Sequence, residues 1–239
     1  MQRIFLFVSI FLGLLHAQSN FSQTEFTIDS VKGDLITINT NQNFAKGASA
    51  VVLRKFDDQH EAIIANAVVI EGKNSKLILK LSPYNDLTQD VLPNYDIPPK
   101  AGDKVLLNHL YNRAMIIAPN QESYLKVRRD YSNFDWVHPD LFALKLVSSF
   151  HSKPTKEQFQ EECKDDTIGL IFFVIKDKTY IVDCKSFKAI SYSPITPATK
   201  KTKPFYSRLK ETRGKLGGLF GGDKIDDFDR YYTKLLTGK

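Results

Sequence analysis

The side chains able to do chemistry are scattered along this sequence rather than set at any catalytic spacing. Past the first 19 residues the histidines are His60, His109, His138 and His151, far apart in the chain. No His-Glu-x-x-His, Gly-x-Ser-x-Gly or zinc-type Cys/His spacing occurs, so neither a metal, a cofactor nor an activated nucleophile is expected. Gly217 to Lys224 looks superficially like a phosphate loop. No strand leads into it, however, and Lys224 stands one place beyond the position the motif requires, so a hinge is the better reading. Glu161, Glu162, Asp165 and Asp166 form an acidic run that reads as the solvated face of a helix end. His138-Pro139-Asp140 reads as a helix start, with proline in the first turn, where its missing N–H costs little. The expectation is a protein that is not an enzyme.

Two groups stand out chemically. Cys163 and Cys184 are the only cysteines; they read either as a disulfide, which export would permit, or as two buried thiols. Lys239 closes the sequence after Gly238, so it would carry a carboxylate and an ammonium on one accessible residue. A pocket with an acid at one end, a base at the other and an apolar trough between would recognise that zwitterion through charge-assisted bonds.

Charge is distributed unevenly. Residues 200–239 hold eleven Lys or Arg against five Asp or Glu, a balance equal to the formal +6 of the whole sequence. The tail could contact nucleic acid or anionic lipid through this charge, but its interleaved aspartates and the signs of export argue against both. Those signs are Arg3, the apolar run Ile4 to Leu15, and the small or polar Ala17, Gln18 and Ser19. They make residues 1–19 a secretory signal; an uncleaved anchor is the alternative. The run is short of the roughly 20 residues of a membrane span, and no later stretch is apolar enough, so the mature chain is expected to lack a transmembrane segment.

The elements change character near residue 110. From Glu25 to Leu110 the pattern is of short strands: a hairpin about Lys32-Gly33-Asp34, then Ser49–Phe56, Ala62–Ile70, Lys76–Leu81 and Lys104–Leu107. Residues 24–110 are therefore expected to form a small antiparallel β-barrel or sandwich, with the Pro-rich loop 82–100 a possible contact surface. Residues 111–190 read as a small α/β layered domain. Arg113–Ala118 is a buried strand and Gln121–Tyr131 a solvated helix. A second helix follows, on which Leu141, Leu144 and Val147 and also Phe142, Leu146 and Phe150 line a wide buried face. Thr155 and Gln158 spell a capping box for a third helix, and Ile168–Ile175 a central strand. Residues 191–203 read as a linker and 204–239 as a basic helical tail. In its last helix Ile225, Phe228, Tyr232 and Leu235 share one face, too short to be stable unless docked. The fold class is thus α+β, and an oligomer is possible.

Four separated blocks carry a family resemblance: Leu110-Tyr-Asn-Arg-Ala-Met-Ile-Ile-Ala-Pro-Asn120, His138-Pro-Asp-Leu-Phe-Ala143, Tyr180-Ile-Val-Asp-Cys-Lys-Ser-Phe187 and Tyr231-Tyr-Thr-Lys-Leu-Leu236. Together they resemble the N-terminal domain of bacterial plasminogen-binding surface proteins. The resemblance implies capture of host plasminogen, whose kringle modules bind lysines, and only Lys239 carries over to that role. Partner contact is assigned to Lys239, Lys234, Tyr231, Tyr232 and Phe228. A β module followed by an α/β module is also similar to periplasmic flagellar accessory proteins, which implies a structural part of the cell envelope or motor. The expected location is exported, in the periplasm or at the cell surface.

Overall fold

The computed structural model describes residues 21–86, 97–149, 151, 153–209 and 225–238. The secretory signal expected at 1–19, the Gly-rich stretch and Lys239 lie outside the described residues, as does much of the 82–100 loop. The fold is α+β.

The first sheet has seven antiparallel strands: β1 (Thr24–Thr27), β2 (Ser30–Lys32), β3 (Leu35–Asn39), β4 (Ser49–Lys55), β5 (Glu61–Lys73), β6 (Lys76–Pro83) and β7 (Lys104–Leu107). Their order is β1-β7-β4-β5-β6-β3-β2, so the two ends of the sheet are strands joined only by Ile28 and Asp29. A flat sheet cannot satisfy that, and this one curls. At the link Ile28 N donates to Asp103 O on the β7 side, and Asp29 N donates to Thr37 O on the β3 side. Alternation supplies the inner face: Ile36 and Ile38 of β3, Leu77 and Leu79 of β6, and Val105 and Leu107 of β7 are all buried.

The second sheet contains β8 (Arg113–Ile117), β9 (Asp135–Val137), β10 (Leu170–Ile175), β11 (Lys178–Asp183) and β12 (Ala189–Pro194), ordered β12-β11-β10-β8-β9. β8 runs parallel to both β9 and β10; the other pairs are antiparallel. Strand β10 shows how one run serves two layers. Leu170, Phe172 and Val174 join a core shared with the curled sheet, while Ile171, Phe173 and Ile175 join a second core under the helices. The change of character near residue 110 is therefore a change of sheet, and one hydrophobic core continues across it.

Four helices are described: α1 (Gln121–Asp130), α2 (Asp140–Ser148), α3 (Lys156–Asp165) and α4 (Phe228–Thr237). Asn120 caps α1, its side chain accepting from Ser123 N at 2.9 Å, and Thr155 with Gln158 forms the expected capping box on α3. Two elements depart from the sequence reading. On α2 only Phe142, Ala143 and Leu146 are buried, whereas Leu141 and Leu144 are 53% and 55% exposed, because among the described residues no layer covers that side. The start of the expected linker is strand β12, paired along β11. Its Ser and Pro content hid a half-exposed edge strand, where Pro is tolerated because the ladder needs no donor on the open side.

Candidate functional site: the docked C-terminal helix

Helix α4 carries most of the residues expected to meet a partner, and its local sequence explains its seat. Asp227 is the N-cap, accepting from Arg230 N at 2.7 Å, and Gly238 ends the helix at φ 71°, the left-handed conformation glycine adopts without strain. Phe228 and Tyr232, one turn apart, point inward and are 1% and 0% exposed. Their rings pack at 4.7 Å from each other, and Tyr232 lies 5.6 Å from Phe173 of β10.

Polar ties complete the docking. Tyr232 Oη donates to Pro204 O at 2.9 Å and Tyr231 Oη to Pro154 O at 2.6 Å. Asp229, nearly buried, accepts from Lys176 N at 3.1 Å and pairs with Lys201. Burial pushes the Tyr232 phenol well above its usual range, so it remains a neutral donor. Of the expected contact residues, Phe228 and Tyr232 thus seat the helix and present no surface while it stays docked. Tyr231 is half-buried with Lys153 Nζ 5.5 Å from its ring centre. Lys234 is exposed and shares the outward side with Arg230.

Elsewhere the structure gathers groups that the sequence left apart. Cys163 and Cys184 form a disulfide between α3 and the residue after β11. Next to it Asp183, wholly buried, accepts from Tyr111 Oη at 2.8 Å, from Ser186 N at 2.6 Å, and from both Ser49 N and Ser49 Oγ. Burial raises its carboxyl above the ordinary range against those four donors. The cluster clamps the curled sheet to the second one, and Gly169 lets them close up: a Cβ there would sit 2.3 Å from Leu110 O. Glu162 is buried beside Asp166, with Lys145 of α2 3.5 Å away; burial first, then Asp166, pushes its carboxyl up to about 7. These acids face packed protein, and no reacting atom could reach Asp183. Among the described residues no group of three His, Cys, Asp or Glu side chains could hold a metal ion. None of the described helices is long and apolar enough to cross a membrane.

The family described as plasminogen-binding protein pgbA N-terminal matches residues 23–236, from the first strand of the curled sheet to the last turn of α4. The chain belongs to this PgbA N-terminal family. Two curated relatives, both named plasminogen-binding protein PgbA, come from Helicobacter pylori strains J99 and 26695. They are 27% and 26% identical to it over 193 residues, 80% of this chain and 42% of theirs. The chain therefore spans less than half the length of these curated relatives. The match includes both sheets and α4, which makes the docked helix a part of the PgbA N-terminal fold.

Proposed function

We propose that this chain is an exported, non-catalytic binding protein that captures plasminogen through lysines at and beyond α4. The observation that carries the reading is the docking of α4. Its aromatic side is locked to β10, so its charged side, Arg230 and Lys234, is held outward on a rigid support. The relatives' name, plasminogen-binding protein, suggests the partner. The family relationship supports the step from them to this chain. Lys234 supplies an exposed ammonium on the last turn of α4, and if the chain ends at Lys239 that residue supplies both an ammonium and a carboxylate.

The test is surface plasmon resonance of immobilised plasminogen against the wild-type chain, a chain lacking Lys239, and Lys234→Ala. Removing Lys239 should weaken capture at least about tenfold, and a lysine analogue should compete. Capture unchanged by removing Lys239 would reject the terminal-lysine mechanism. Cell fractionation with surface proteolysis decides the location. A chain confined to the periplasm of intact cells, whose deletion impairs swimming, would favour the envelope or motor role instead.

A further inference from the structure

Between the curled sheet and α3 lies a groove of about 580 Å³, a volume that suits a small organic ligand. It is distinct from α4, and nothing inferred about it rests on plasminogen capture. Its apolar lining includes Ala50 and Val51 of β4, Ile168 and the Cys163–Cys184 bond. Two lysines reach across from the second layer to the end of β6 and the residues after it. Lys164 Nζ donates to Asn85 O at 2.9 Å, and Lys185 pairs with Asp86 at 2.7 Å.

The remaining polar groups are mixed in kind. Gln160 uses its NH₂ on the carbonyls of Cys184 and Lys185, which leaves its oxygen as an acceptor. Glu161 is exposed at the rim, with no ion pair or hydrogen bond among the described residues. His109 is kept neutral by burial, and its Nδ1 is buried without a partner. An orphaned N–H is rarer than an orphaned acceptor, so the ring's proton belongs on Nε2. The groove thus offers donors from Lys164, Lys185 and His109, and acceptors from Glu161 and Gln160.

That balance selects a ligand. A polyanion such as a nucleotide would set its charge beside Glu161 and Asp86, and a simple cation would meet Lys164 and Lys185. A hydrocarbon would leave every polar wall group unpaired. A molecule with one charge of each sign and an apolar body meets all of them. We propose that the groove binds a short apolar peptide with both termini free, its ammonium at Glu161, its carboxylate at Lys164 and an apolar side chain over the disulfide.

Isothermal titration calorimetry of the full chain with the dipeptide Leu-Leu tests this. Saturable one-to-one binding is expected, weakened about tenfold or more in Glu161→Gln, in Lys164→Gln and for the N-acetylated, C-amidated dipeptide, which has lost both charges. Circular dichroism confirms that each variant folds. Amide chemical shifts of the wild-type chain should move at residues 160–169 and at His109 and stay fixed along α4. No heat at millimolar dipeptide would overturn the proposal. So would equal affinity for the capped dipeptide, or shifts confined to another surface.

Discussion

Helices α2 and α4 are nearly equal in length and lie over the same side of the second sheet, yet they use apolar residues differently. On α4 the inward positions are Phe228 and Tyr232, and the outward ones Arg230 and Lys234; the sequence reads as one face and packs as one. On α2 two rows are apolar and only one is covered, leaving Leu141 and Leu144 in solvent. Hydrophobic periodicity counts the positions that could be buried, not the neighbours available to bury them. The surer sign of docking is a nearly buried acid: Asp229 sits on the packed side because Lys201 and Lys176 N receive it.

Truncation at the seat of α4 should give the largest effect. Phe228→Ala or Tyr232→Ala should cost about 3–5 kcal/mol of docking, read as loss of amide protection along α4. If protection persisted, aromatic burial would not be what holds the helix. Removing the disulfide by Cys163→Ser with Cys184→Ser should cost about 3 kcal/mol in chemical denaturation, while α4 stays protected in the native state. Loss of α4 protection in that variant would show the two anchors to be coupled. Asp229→Ala should cost about 1–3 kcal/mol by stranding Lys201 and Lys176 N, and neutralising Lys201 as well should recover part of it.

The acid beneath α2 gives a smaller, pH-dependent effect. Glu162 has its folded value raised from 4.5 to about 7, so its share of stability is fully present below about 4.5 and is lost as pH rises through about 7. The melting temperature should fall by about 5–10 °C from pH 5 to pH 8, and Glu162→Gln should flatten most of that slope. Burial also raises the Asp183 carboxyl, so its effect on stability has the same sign. A melting temperature that rose over this range would contradict the burial of Glu162. The smallest change belongs to the bare row of α2: Leu144→Ser should alter stability by no more than about 0.5 kcal/mol. A larger loss would mean that Leu144 is covered in solution.

The legible parts of the molecule were those with local causes. Period-two runs gave β3 to β7, the Thr155–Gln158 pair gave the start of α3, and two cysteines gave a disulfide as one of two readings. What stayed hidden depends on distant partners. β9 is three residues long and exists because β8 accepts it. Asp183 ends an apolar strand and gives no sign of the donors from Ser49 and Tyr111, which lie far away in the chain. Of the residues assigned to contact a partner, Phe228 and Tyr232 were legible as an apolar face, but not as the face that disappears into the protein.

The two-residue link between β1 and β2 has a wider consequence. It makes the first sheet's two edge strands, β1 and β2, only four and three residues long and bent away from each other at the link, so the backbone offers no long row of unsatisfied amides to a stray strand, which limits runaway stacking in a crowded compartment. Among the described strands the longest open edge is β12 of the second sheet, six residues, so assembly by strand addition has its broadest foothold there.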